Sequence, residues 1–555
     1  MVHGHTGATL AMRMWILSAA FGAVACGGGG EQTDATFGDS KPGEASADDT
    51  TATSGGGSSS GGGSSTGGSS SGEVETVTDP APTSSTGGPE CVEDVDCAGN
   101  PNGLLCEAGQ CVSACLPGDT RPCYTGPLDK VDVGACKRGT ATCSADGLGW
   151  GACEGEVLPV AEVCANDADD DCNGEVDDDA DVDGDGWGAC AGDCCDVEGE
   201  ACSTPGLVNP GAFEVEGNTV DDDGDGEMDE APQPCDAGLK SDSANGLDYA
   251  RALDLCAVTE ESPADPKDKT WGVIAASFSL ADGKGAPAPA SRAIRTDFGK
   301  AIVPQMASNM VVLSSGHAAD ATDQAPAFAA FEQGSNLNTT SPPPADWLAA
   351  NAGKIPNPPG CPAPMIPAAN DPVMLTLRMR VPTNAKSFAA KMYFFSAEYP
   401  EYVCSQYNDF FVALVDSQAD DNPIDKNVAV FDDGKTQWPI GVNLVKVAKG
   451  LFVQCEGGPV GCQGDAPSNY DGCVGTAELV GTGFDAIDQS ACNKVQKFVG
   501  GGTGWLTLRG NVAPGEVMEI RLAVWDTGGH IFDSLVLLDA WEWSLDAAEP
   551  GVTPL

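Results

Sequence analysis

Three short runs in the middle of this 555-residue chain share the pattern Asp-x-Asp-x-[Asp/Asn]-Gly. They are Asp169, Asp171 and Asn173 before Gly174, then Asp181, Asp183 and Asp185 before Gly186, then Asp221, Asp223 and Asp225 before Gly226. Side-chain oxygens at positions 1, 3 and 5 of such a run turn toward one point, and the glycine permits the bend that brings later ligands round. This is how a hard cation is wrapped. Asp177 and Asp229, at position nine of the first and third runs, could coordinate directly or through water. None of the three has a glutamate at position 12, so none is an EF-hand. An oxygen-only ligand set favours calcium over zinc or copper, and offers more carboxylates than a water-retaining magnesium ion would use. The expected affinity is in the weak extracellular class, about 10⁻⁴–10⁻³ M. The plainer alternative is an acidic loop that gathers cations diffusely.

The first and third runs belong to a longer repeat. Glu162–Asp178 recurs 52 residues later as Glu214–Glu230, sharing Asn-x-x-Asp-x-Asp-x-[Asn/Asp]-Gly-x-x-Asp-[Asp/Glu]. These runs resemble the short calcium loops of extracellular thrombospondin-type or dockerin-type repeats.

Charge agrees with cation binding. The chain carries 83 Asp and Glu against 27 Lys and Arg, a formal net charge of −56. Glu162–Glu230 alone holds 25 acidic residues and no Lys or Arg. Such a polyanion repels nucleic-acid phosphates and anionic headgroups, so no nucleic-acid partner is expected.

Most of the 24 cysteines fall between Cys91 and Cys256. A zinc site would use Cys-x-x-Cys pairs and histidines, but the chain has no Cys-x-x-Cys and only four histidines. Disulfide-stapled, loop-rich modules in an oxidising compartment are expected instead. Cys404, Cys455, Cys462, Cys473 and Cys492 are expected to pair among themselves or with Cys361, with the connectivity open.

The N-terminus supplies a route of export. Met14–Ala25 is a mostly apolar run after Arg13, too short to span a bilayer and built like a signal peptide. Ala23-Val24-Ala25-Cys26 resembles the bacterial lipobox, with Ala23 where leucine is usual; the resemblance implies lipidation of Cys26 and a membrane held through that lipid. A secreted soluble protein is the alternative. Residues 27–90, rich in Gly, Ser and Thr, cannot bury enough apolar surface to fold. As a flexible tether they would span roughly 40–50 Å.

From residue 240 to 546 the composition turns strand-like. Met374–Val381, Phe388–Phe395, Phe410–Val415, Met518–Val524 and Leu535–Leu538 read as strands, the third buried on both faces. Trp541, Trp543 and Leu545 continue the pattern, and Asp248–Cys256 reads as a short helix. The expected fold class is mainly β: a disordered Gly/Ser tether, disulfide-stapled calcium-binding modules over 91–236, then a jelly-roll-like β-sandwich over 240–546 and a tail over 547–555.

Two family resemblances follow from particular residues. Thr120–Pro127, Val133–Cys143, Trp150–Glu156 and the Glu162–Asp178 loop resemble the MopE-like metal-binding module repeated in myxobacterial surface proteins. Tyr393–Tyr402, Gln406–Phe411 and Trp525–Asp539 resemble the choice-of-anchor L family of bacterial surface domains. The second resemblance implies attachment to a surface, a role the lipid on Cys26 would fill. Within that region Glu398, Asp409, Asp526 and Asp533 flank strand-like runs and form a candidate second metal site, the alternative being carboxylates that cap turns.

The functional reading is an exported outer-membrane or cell-surface lipoprotein, not an enzyme. It would bind calcium and contact matrix, polysaccharide or a cell-surface protein. A calcium-dependent lectin is the first alternative, with Trp438, Trp505 and Trp525 available to stack on sugar rings. A hydrolase using paired carboxylates is the second, and His530 beside Asp533 and Ser534 makes a poor triad for one.

Overall fold

The computed structural model describes residues 105–108, 110–112, 115–164, 166–178, 181–199, 202–264, 268–332, 336–365, 368–464, 467–488, 492 and 497–555. The signal peptide, Cys26, the 27–90 tether and Cys91 lie outside the described residues. The contacts divide the chain into two units; of the described residues, the smaller holds those up to Val160 plus Asp171–Gly174, and the larger holds Ala161–Asp170 and Glu175–Leu555.

In the smaller unit, β1 (Thr120–Cys123), β2 (Gly139–Cys143) and β3 (Trp150–Glu154) form an antiparallel sheet in sequence order. So small a sheet has little core to bury, and covalent links replace it. Cys115–Cys143, Cys123–Cys153 and Cys136–Cys172 tie it together.

The larger unit opens with loops linked by Cys164–Cys190, Cys195–Cys202 and Cys235–Cys256. Helix α1 (Gly246–Arg251) follows, its N-terminus capped by the Asn245 side chain accepting from the Leu247 N–H. It is shorter than the span read from sequence. Besides several two- and three-residue strands, the strands of its two main sheets are β4 (Gly272–Ser279), β5 (Arg292–Arg295), β6 (Met310–Ser314), β7 (Ala369–Arg380), β8 (Ser387–Ser396), β9 (Phe410–Asp416), β10 (Val430–Asp432), β11 (Gln437–Gly441), β12 (Leu506–Asn511), β13 (Val517–Thr527), β14 (Ser534–Ser544) and β15 (Gly551–Pro554). One antiparallel sheet runs β10-β11-β9-β13-β7-β4 and the other β15-β12-β8-β14-β6-β5. From β7 to β9, and again from β12 to β14, successive strands alternate between the sheets.

Strand alternation builds a main core and two outer ones. Met518, Ile520, Leu522 and Val524 of β13 face Met392 and Phe394 of β8, and Val536 and Leu538 of β14, in the main core between the sheets. The opposite faces are also covered. Phe410, Val412, Leu414, Ala523 and Trp525 pack with Trp347 of α2 (Ala345–Ala350), and Tyr393, Phe395, Leu535 and Leu537 pack with Phe331 and Phe484. Hence β9 is apolar at every position from Phe410 to Val415, as a strand buried on both faces must be. The six cysteines of this region pair as Cys361–Cys404, Cys455–Cys473 and Cys462–Cys492. The fold is mainly β.

Candidate metal sites

The 52-residue repeat is repeated in the backbone. Asp167 and Thr219, Cys172 and Gly224, Gly174 and Gly226, and Asp177 and Asp229 all have positive φ. Each copy opens with an asparagine that folds back on itself: the Ala168 N–H donates to Asn166 Oδ1, and the Val220 N–H to Asn218 Oδ1. The two amide groups donate to Asp170 and Asp222 respectively. Asp177 accepts from the N–H groups of Asn166 and Asp167, and Asp229 from those of Gly217 and Thr219. The position-nine carboxylates therefore close each loop on its own entrance.

Asp169 lies in the larger unit, and Asp171 and Asn173 in the smaller. The Asn173 N–H donates to Asp171 Oδ1, and Lys130 Nζ lies 3.4 Å from Asp171 Oδ2.

The second and third cores lie wholly within the larger unit and bring carboxylates together. In the larger unit, Asp181/Asp183/Asp196, Asp183/Asp185/Asp193, Asp221/Asp223/Asp225 and Glu214/Asp223/Glu230 each place one oxygen per residue within 4.8 Å of the others. Asp181 draws the loop around itself, accepting from the N–H groups of Gly184, Asp185 and Gly186. The Asp196 carboxylate accepts from the N–H groups of Val182 and Asp183. Asp185 accepts from the Trp187 N–H and, at 2.7 Å, from the Asn209 amide. Asp193 is 4 % exposed; its Oδ1 accepts from the Cys195 N–H. Buried Asp183 Oδ2, Asp193 Oδ2, Asp221 Oδ1 and Glu230 Oε2 have no hydrogen-bond partner.

Burial, followed by neighbouring like charge, makes these carboxylates reluctant to ionise. Asp193 is pushed up to about 6, mainly by burial and then by Asp185, Asp183 and Asp196. Asp223 also rises to about 6 and Glu214 to about 7, burial leading in each. Asp183, Asp185, Asp222 and Glu230 shift the same way. A divalent cation reverses this balance, since it compensates the very charges that burial opposes.

Asp193, Asp196, Glu214 and Glu230 fall outside the three sequence cores. Asp193 and Asp196 bracket Cys194-Cys195 eight and eleven residues beyond Asp185, a spacing with no loop signature of its own. Glu214 and Glu230 stand at the two ends of the repeat, where their matching positions offered a signal.

The four carboxylates of the sandwich come from both sheets. Glu398 follows β8, Asp409 precedes β9, Asp526 lies near the end of β13 and Asp533 precedes β14. All four are buried. Asp409 accepts from the Thr527 N–H at 3.0 Å and the Ser534 hydroxyl at 2.7 Å, while its own N–H donates to Glu398 Oε2 at 3.4 Å. Glu398 and Asp526 are held well above the usual carboxylate range by burial and then by Asp409, with Asp533 adding to Asp526.

Trp525, a sugar-stacking candidate, is fully buried against Trp347 and Phe410 and cannot meet a ligand from solvent. Trp438 is half-buried and donates to Asp433. His530 Nδ1 lies 2.8 Å from Asp371 Oδ2.

Among the described residues no helix is long and apolar enough to cross a membrane. No curated protein and no solved structure matches the chain. The family model of the choice-of-anchor L domain matches residues 306–544, a span that contains Glu398, Asp409, Asp526 and Asp533, and this similarity suggests a surface-related role for a surface or exported protein.

Proposed function

We propose that this chain is a surface-tethered extracellular lipoprotein whose Asp-rich loops bind calcium as a structural ion, so that the sandwich is presented to matrix, polysaccharide or another cell. The observation that carries the metal reading is the Asp183/Asp185/Asp193 group. Its oxygens converge, and buried Asp183 Oδ2 and Asp193 Oδ2 accept no hydrogen bond. An isolated ionised carboxylate is too costly to bury without a compensating partner. Calcium takes six to eight oxygens in a flexible geometry, which suits clusters of aspartates supplemented by water. The resemblance to the MopE-like metal-binding module supports the same reading, and the lipobox-like Ala23–Cys26 with its long Gly/Ser segment supports a lipid tether.

Calorimetric calcium titration of the oxidised full chain tests it. Saturable binding that weakens at least tenfold in Asp183→Asn/Asp193→Asn is expected. Binding that is absent, or indifferent to both substitutions, would remove the calcium reading.

A further inference from the structure

The sandwich holds acidic groups that the loop reading does not use. Asp526 is 1 % exposed, and neither carboxylate oxygen makes a well-formed hydrogen bond, although the Ser315 hydroxyl and the Asp409 carboxyl lie near it. Asp409 and Asp533 both lie near enough to act on it electrostatically, and Asp409 acts in the same way on Glu398. No lysine or arginine among the described residues forms an ion pair with Glu398, Asp409 or Asp526.

The backbone is arranged to admit this crowding. The Ser396↔Ser534 and Phe410↔Trp525 pairs bring the ends of β8, β14, β9 and β13 into register, so the carboxylates meet at one end of the inter-sheet space. Gly316 leaves room for Asp533: a Cβ there would stand 1.9 Å from Asp533 Oδ2. Ser315 and Ser534 tie the second sheet together at that end, the Ser534 N–H donating to Ser315 Oγ at 2.9 Å.

Turn-capping accounts for part of this. Asp409 does cap, through Thr527 and Ser534, but Asp526 caps nothing. Ionised, a fully buried carboxylate with uncommitted oxygens, flanked by two more, is a heavy cost to a fold unless positive charge sits among them. We infer that the end of the sandwich is a second, solvent-shielded cation site, in which Asp526, Asp409 and Asp533 bind a hard divalent ion with Glu398 supporting Asp409. The oxygen-only donor set selects calcium or a similar ion over softer metals. Among the described residues, only the Asp-rich loops bring three carboxylate oxygens within 4.8 Å of one another. The sandwich site is looser than this, and binding would draw Asp526, Asp409 and Asp533 together. Its ion would join the two sheets directly.

Native mass spectrometry of the oxidised full chain in calcium tests this separately from the loops. A chain carrying Asp183→Asn, Asp193→Asn and Asp223→Asn is expected to retain calcium, and adding Asp526→Asn is expected to lower its ion count by one. Equal ion counts with and without Asp526→Asn overturn the site. If loops bind nothing, the first three substitutions leave the count unchanged while Asp526→Asn still lowers it by one, so the two failures are distinguishable. A second readout covers an Asp526→Asn chain that does not fold: the triple loop variant should still melt lower in EDTA than in calcium, and an unchanged melting temperature overturns the proposal. If Asp526→Asn folds and melts higher than its parent in both calcium and EDTA, the carboxylates share protons rather than an ion, which also overturns it.

Discussion

The Asn209 side-chain amide donates to Asp185 Oδ2 at 2.7 Å, and through Asn209 the central acidic loop is tied to Thr383 of the sandwich. Asn209 is fully buried, and its Oδ1 accepts from the Gly211 N–H and from the Thr383 hydroxyl just after β7. Its own N–H donates to the Asp222 carbonyl of the third core. The neutral side chain thus positions a candidate ligand, while the backbone of the same residue holds the third core. Asn209→Ala removes these side-chain bonds and leaves buried groups unpaired, at a cost of about 1–3 kcal/mol for each such group. Calorimetry should show calcium affinity in the loops falling about three- to thirtyfold. Unchanged affinity would mean that Asn209 holds the fold but not the ligands.

Asp193→Asn separates charge from shape. Without metal the substitution relieves repulsion against Asp183, Asp185 and Asp196, so the variant should melt a few degrees above the parent in EDTA. In millimolar calcium the order should invert, because a ligand is lost. Melting curves under both conditions read the crossing; the same order in both contradicts a role for Asp193 in binding.

How much of this was legible beforehand depended on whether the signal was local. The strands Phe388–Phe395 and Met518–Val524 were readable because alternation along one strand is a property of adjacent residues. β7 starts at Ala369 rather than Met374, running through a register shift between Asn370 and Val373 whose Pro372 hides the strand from a sequence reading. Glu398, Asp409, Asp526 and Asp533 could be named from their places at strand ends, but their burial between two sheets could not. Asp193 was missed for the same reason. Its contact with Asp183 depends on how the chain doubles back over residues 186–193, which no spacing rule encodes.

Stability should depend on pH through a group far from the loops. Asp539 in β14 is buried and accepts from the N–H groups of Gln305 and Ala540; burial, helped by Asp254, pushes it up to about 7. Asp254 rises to about 6 by burial and then by Asp236. Raised folded values mean that the native state holds more protons than the unfolded chain between about pH 4 and 7, so stability falls as pH rises through that window. Asp539→Asn should flatten the decline between about pH 4 and 7, by up to about 1.4 kcal/mol per pH unit. Chemical denaturation across that range checks it, and an unaltered slope would refute the assignment.

The Cys361–Cys404 bridge closes a loop of 43 residues around β7 and β8. Replacing both cysteines by serine should lower stability by about 2–4 kcal/mol through the freedom regained by the unfolded chain. Denaturation of the double variant under non-reducing conditions measures it; no loss would show that native packing alone sets this segment.

The most direct test is thermal unfolding of the oxidised full chain after exhaustive dialysis against EDTA and again in 1 mM calcium. With a dissociation constant of about 10⁻⁴ M, each site stabilises by about 1.4 kcal/mol under these conditions. The melting temperature of the larger unit should rise by several degrees in calcium, and should not rise in an equal concentration of sodium chloride equivalents. Identical melting curves in EDTA and calcium would contradict the claim that divalent ions hold these buried carboxylates together.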